Sequence, residues 1–160
     1  MPWWSSIIKS RDYTYYPIYI CYVVIIVSAV ISIVEGEYIL SLALFGLILL
    51  VLGMYVNFVA RRDLAKHWSP LADSGEDQKL IKTGIYAKIR HPIYLSAILF
   101  SLGVVFTGGN LYGFVFFLLL LIALGMRIRK EERELITKFG EEYKEYAEKT
   151  AILVPKLKGK

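Results

Sequence analysis

The stretch GIYAKIRHPIYLSAILFSLGVVFTGGNLYGFVFFLLLLIALGMRIRKEE, residues 84–132, decides how this chain is read. It opens with Gly84-Ile85-Tyr86 and Arg90-His91-Pro92-Ile93-Tyr94, crosses two apolar segments joined at Thr107-Gly108-Gly109-Asn110, and closes with Arg127-Ile128-Arg129-Lys130-Glu131-Glu132. A chain that turns back at the glycine pair brings guanidinium, imidazole and carboxylate groups from its two ends together. That is the geometry of a polar site at a membrane surface.

Outward from this stretch, uncharged runs recur at 18–34, 38–60 and 93–126, the last broken only at 107–110. The chain is 56% hydrophobic with a mean hydropathy of +0.51, too apolar for an ordinary soluble domain of 160 residues. A helix needs ~20 apolar residues to cross the hydrocarbon layer, and shorter ones manage by snorkelling or thinning the bilayer. Four crossings fit. A soluble bundle would show polar faces at a 3.6-residue period, and these runs do not.

The expected fold is all-α: a polytopic integral membrane protein with four transmembrane helices in two hairpins plus a cytoplasmic amphipathic C-terminal helix, as a single membrane domain. Residues 1–17, with Trp3, Trp4, Tyr13, Tyr15 and Tyr16, form an interfacial segment. Residues 18–60 form the first hairpin, turning at Glu35-Gly36-Glu37, with Gly46, Gly53 and Ser41 available for close packing and no evident chemistry. Residues 61–91 are a cytoplasmic loop, 92–126 the second hairpin, and 127–160 a cytoplasmic tail that forms part of the site. Lys9 and Arg11 precede the first apolar run, but no small-residue cleavage site follows it, so that run is expected to remain as a span.

Charge orients the chain. Of the nineteen Lys and Arg residues, two precede residue 18, seven lie in 61–92 and ten follow Met126, with none at 35–37 or 107–110. With four spans all of them fall on one side, the cytoplasmic one by the positive-inside rule, together with both termini. Topology thus explains the net charge of +5, and no nucleic-acid partner is expected. Cys21 lies within an apolar run, where packing is the expected role of a thiol.

Pro92 suits the first turn of a helix, which makes the third span short and leaves Arg90 and His91 at its N-terminus with backbone N–H groups free to meet an anion. From Leu111 no helix breaker occurs before Gly140, so the fourth span should continue into the cytoplasm as one long helix. Beyond Gly140 a second helix is expected over 141–149, with Leu135, Ile136, Phe139 and Tyr143 on one face of the tail and a frayed end from Pro155 onward. Glu131 and Glu132 project ~100° apart on a helix, so one would face a pocket and the other solvent. His67-Trp68-Ser69 marks the long polar loop. No GxGxxG after a strand, no Walker sequence and no HExxH occurs, and two histidines with one cysteine make no metal constellation.

Gly84-Ile85-Tyr86, Arg90-His91-Pro92-Ile93-Tyr94, the apolar hairpin, Arg129-Lys130-Glu131-Glu132 and Phe139-Gly140-Glu141-Glu142-Tyr143 together resemble the isoprenylcysteine carboxyl methyltransferase family and the related membrane phospholipid N-methyltransferases. The resemblance implies a membrane-embedded enzyme that binds S-adenosylmethionine without a Rossmann fold and methylates a lipid-like or prenylated acceptor. Carried over by position, Tyr86, Arg90, His91, Tyr94, Glu131 and Glu132 line the cofactor pocket, while Arg127, Arg129 and Glu132 serve catalysis, the arginines by orienting an anionic acceptor. No metal is implied. The chain departs from the family at Ile85, where Gly-Pro-Tyr is common, and at Lys130, where a further acidic residue is common, which bears on the acceptor more than on the cofactor. Isoprenylcysteine-type carboxyl O-methylation is the leading expectation. Alternatives are phospholipid N-methylation, an NADPH-dependent membrane reductase, because sterol reductases share a similar Arg-His-Pro region, and a non-catalytic membrane scaffold.

Overall fold

The structure is a computed structural model that describes residues 15–65 and 80–155. Trp3, Trp4, Tyr13, His67-Trp68-Ser69 and the last lysines lie outside the described residues. Five α-helices follow one another: α1 Tyr15–Glu35, α2 Leu40–Ala65, α3 Pro92–Gly108, α4 Leu111–Phe139 and α5 Glu141–Lys149, with a short 3-10 helix at Gly84–Ala87. No strand occurs among the described residues beyond one isolated bridge. The expected all-α class holds.

Three helices, α1, α2 and α4, are long and apolar enough to cross a membrane. The 17 residues of α3 rise only ~25 Å, short of the ~30 Å of a typical hydrocarbon core. Pro92 opens α3 and Gly109, at φ +63°, closes it in the left-handed conformation that glycine adopts without strain. Asn110 then starts α4: its side-chain oxygen accepts the Gly113 N–H at 2.7 Å, while its amide donates to the Ser28 carbonyl at 2.9 Å. One residue thus caps a helix and ties the second turn to α1.

The 29 residues of α4 run unbroken for ~44 Å, ~14 Å more than the ~30 Å of a typical hydrocarbon core. Gly140, at φ +56°, breaks the chain before α5. Tyr143 packs inward as the tail pattern requires, whereas Ile136 stays exposed.

The core is built by Ile18, Cys21 and Ile25 of α1, Val105 of α3, and Phe117, Leu120, Ala123 and Leu124 of α4. Cys21 is a packing residue here. The first hairpin is splayed: α1 packs on α4 and α3, whereas α2 packs on α3. Backbone approach holds that second contact, because a Cβ on Gly46 would meet the Gly103 carbonyl oxygen at 2.6 Å and one on Gly103 the Gly46 oxygen at 2.7 Å. Gly53 serves the same interface, but Ser41 is exposed and takes no part. The outer faces of α1 and α2, with Val23, Val27, Val30, Ile48, Val51 and Phe58, stay exposed and apolar, as lipid-facing surfaces do.

One expectation is corrected. The backbone N–H groups of Arg90 and His91 are not free: they donate to the carbonyls of Ala151 and Ile152 at 2.8 and 3.0 Å, around a parallel bridge between Ile89 and Ala151. The same bonds hold the chain just after α5, while the lysine-rich end expected to fray lies outside the described residues from 156 onward. Thr150 is buried and residues 151–152 run along 89–91, because the unpaired donors there would otherwise be buried without partners.

Candidate active site

Polar residues gather where α4 changes from an apolar to a charged sequence. Arg127, Glu131 and Glu132 lie there, facing His91 and Tyr94 at the start of α3 and Tyr143 of α5. The spacing of α4 sets this up, since Arg127 and Glu131 are one turn apart and Arg127 Nη2 reaches Glu131 Oε1 at 3.3 Å.

Glu132 meets three side chains through one oxygen. Its Oε1 lies 2.7 Å from His91 Nε2, accepts the Tyr143 hydroxyl at 2.7 Å and lies 3.2 Å from Arg90 Nε. Its Oε2 takes no hydrogen bond from the described residues. Glu131 Oε1 accepts the Tyr94 hydroxyl at 2.5 Å, and its Oε2 lies 3.7 Å from His91 Nδ1. The buried imidazole therefore stands between two carboxylates, and neither carboxylate turns to solvent: their side chains are 27% and 19% exposed. The expectation that one glutamate faces water is corrected. The 90–94 run and α5 face the carboxylates with charged and hydroxyl groups, and pairing holds both inward.

Arg90 also clamps the tail, donating from Nη1 to the Ala147 carbonyl at 2.6 Å, near the C-terminal end of α5. Tyr146 adds a bond from its hydroxyl to the Tyr86 carbonyl at 2.6 Å. Burial pushes the Tyr146 phenol up to about 12, and burial with the nearby Asp63 carboxylate pushes Tyr86 up to about 12. The Tyr143 phenol is raised by burial first and by its bond to the Glu132 carboxylate second. All three phenols are neutral at physiological pH, and those of Tyr143 and Tyr146 donate.

Of the residues singled out in the sequence, Arg90, His91, Tyr94, Arg127, Glu131 and Glu132 meet in one cluster. Tyr86 lies on the neighbouring Gly84–Ala87 turn, its backbone carbonyl held by Tyr146. Arg129 does not: it is exposed and makes no ion pair among the described residues. Arg127 is buried, donating to the Tyr15 hydroxyl at 2.5 Å with its guanidinium over the Tyr15 ring. Tyr15 is thus a partner within the cluster.

Beside the cluster lies a cavity of about 890 Å³ in the splay between α1 and α2, floored by α3. Tyr15, Tyr19, Tyr22, Phe58, Phe100 and Leu124 make it mostly apolar, and Asn57, Arg61, Arg62, Tyr94 and Ser96 add polar groups. Arg61 Nε donates to Asn57 Oδ1 at 2.7 Å, and Asn57 donates to Ser96 Oγ at 2.9 Å. Sequence reasoning passed over this relay in a hairpin it took to hold no chemistry. The signal was Asn57 itself, a carboxamide in an apolar run that needs a partner, one turn before Arg61.

The family model described as phospholipid methyltransferase matches residues 41–142, which take in the whole carboxylate cluster except Tyr15 and Tyr143. The chain belongs to the phospholipid methyltransferase family. Among its similar proteins, the protein-S-isoprenylcysteine O-methyltransferase of Saccharomyces cerevisiae is 33% identical over 113 residues, covering 69% of this chain and 47% of the relative. The enzyme of the same name from Schizosaccharomyces pombe is 32% identical over 109 residues, 66% of this chain and 46% of the relative. Methanethiol S-methyltransferase 1 of Bradyrhizobium diazoefficiens is 39% identical over 72 residues, 44% of this chain and 24% of the relative. The resemblance read from the motifs is borne out at the level of family. The chain spans about half the length of the first two of these relatives.

Proposed function

We propose that this phospholipid methyltransferase family member transfers a methyl group from S-adenosylmethionine to an amphiphilic acceptor at the cytoplasmic membrane surface, with an isoprenylcysteine-type carboxylate as the acceptor head. The observation that carries the proposal is an ordered carboxylate pair beside an apolar cavity. Isoprenylcysteine O-methyltransferases among the relatives support the choice of acceptor. The proposed topology has four spans, the third, α3, being the short one, and both termini in the cytoplasm, which gathers all nineteen cations on one side.

The donor set fits the cofactor. S-adenosylmethionine carries an ammonium and vicinal hydroxyls, and Glu132 Oε2 is an acceptor that no described residue uses. Glu131 and Glu132 would hold those groups, with Tyr86 and Tyr94 beside them, while Arg90, His91 and Tyr143 act by fixing Glu132. The sulfonium supplies an activated methyl carbon. Methylation of a carboxylate oxygen forms one C–O bond, breaks one C–S bond and moves no proton, so the residues need only align the reactants and exclude water. The apolar tail of the acceptor would lie in the splay between α1 and α2, with Arg61 and Arg62 near its anionic head. Arg127 holds Glu131, and Arg129, exposed on α4, is left outside the acceptor site.

The test is transfer of a labelled methyl group from S-adenosylmethionine by the detergent-purified protein to S-farnesylcysteine, phosphatidylethanolamine or methanethiol. Base-labile label on S-farnesylcysteine supports the proposal. Label on phosphatidylethanolamine alone supports the second reading, phospholipid N-methylation, which the family description favours. No saturable cofactor binding by folded protein overturns both.

A further inference from the structure

The last turn of α2 reaches across to the segment that delivers the site. Asp63 is 6% exposed, and its Oδ2 accepts the Ile85 backbone N–H at 2.9 Å. Gly84, immediately before, sits at φ +61°, and a Cβ there would collide with the Asp63 carboxylate, so glycine serves both backbone conformation and close approach. The Ile85 carbonyl then accepts the N–H groups of Lys88 and Ile89 at 3.0 and 3.1 Å. Both polar groups of one peptide residue are thereby fixed at the start of the run that carries Tyr86, Arg90 and His91.

We infer that Asp63 is a positioning residue for the cofactor half of the site, acting through Ile85 to hold Tyr86 and the Arg90-His91 run against the carboxylate pair. The inference rests on the methyltransferase reading above. Asp63 lies outside the motifs that mark the family in this sequence, and it touches neither carboxylate directly. Its leverage comes from geometry: α2 is anchored on α3 by backbone contact at Gly46 and Gly53, so a bond from its end places the turn relative to the bundle. On the far side the turn is held by Tyr146 on the Tyr86 carbonyl, leaving the segment pinned between α2 and α5. An uncompensated buried carboxylate is costly, and here Arg62 lies 3.3 Å from Oδ1. The Asp63 charge also acts on the Tyr86 phenol, which places the two groups in one electrostatic neighbourhood.

The experiment compares wild type, Asp63→Ala and Asp63→Asn as detergent-purified full chains, reading amide hydrogen exchange at Ile85, the KM for S-adenosylmethionine and the KM for S-farnesylcysteine. The alanine variant is expected to lose protection at Ile85 and to raise the cofactor KM at least tenfold, with the acceptor KM within twofold of wild type. The asparagine variant, whose amide oxygen still accepts the N–H, is expected to keep protection and stay within threefold on the cofactor. Should the alanine variant fail to fold, Asp63→Ser replaces it, a shorter polar side chain that does not reach Ile85. Retained protection, an unchanged cofactor KM, or equal rises in both KM values overturns the inference while leaving the functional reading intact. A wild type that binds no S-adenosylmethionine overturns the functional reading and this inference with it.

Discussion

His91 Nε2 stands 2.7 Å from Glu132 Oε1, and the same imidazole presents Nδ1 to Glu131 Oε2 at 3.7 Å. One ring from the start of α3 therefore orders two adjacent carboxylates of α4. His91→Ala removes that buried contact and is expected to cost about 2–3 kcal/mol of stability. It should also abolish saturable S-adenosylmethionine binding. Calorimetry on folded protein checks this, and wild-type affinity in the variant would refute the assigned role.

Arg90 joins Glu132 at 3.2 Å to the Ala147 carbonyl at 2.6 Å. A planar guanidinium spans both partners, and a single ammonium does not reproduce that fork. Arg90→Lys is therefore expected to behave like Arg90→Ala, loosening α5 and lowering methyl transfer at least tenfold. Faster amide exchange across Glu141–Lys149 in both variants is the readout.

Arg127 and Arg129 separate by burial. Arg127→Ala strips Glu131 and Tyr15 of a buried cation and is expected to reduce turnover by more than tenfold, because breaking a buried pair leaves an uncompensated charge. Arg129→Ala on the exposed face should cost less than threefold. Parallel turnover assays decide it, and the reverse order would return the acceptor role to Arg129.

Gly103→Ala should strain the α2–α3 contact, since its Cβ would sit 2.7 Å from the Gly46 carbonyl oxygen, a backbone atom that moves only with its helix. Overpacking of this kind costs about 1–3 kcal/mol. A lower thermal midpoint in detergent with the oligomeric state unchanged is the expected result.

Tyr86 and Tyr146 stay protonated up to about 12, whereas tyrosine in an unfolded chain ionises near 10. A raised folded pKa contributes stability that is whole below pH 10 and is lost as the pH climbs from 10 to 12. The protein should therefore weaken across that window. Near-ultraviolet titration should show a late tyrosinate fraction that shrinks in Tyr146→Phe.

The sequence by itself determined the helices, the family and the six residues that meet in the cluster. Uncharged runs, a proline at a helix start and glycines at helix ends act through local sterics and burial, and the paired motifs act through their order along the chain. It also foretold the unbroken α4 and the break at Gly140. Only the tertiary structure decided what each polar group does. That Arg90 and His91 spend their N–H groups on Ala151 and Ile152, that both glutamates turn inward, and that Asn57 pairs with Ser96, Asp63 with Ile85 and Tyr143 with Glu132, across 39, 22 and 11 residues, depends on contacts between elements. Such pairings follow from which buried donors and acceptors are brought within reach when helices dock, and no periodicity along one segment encodes that.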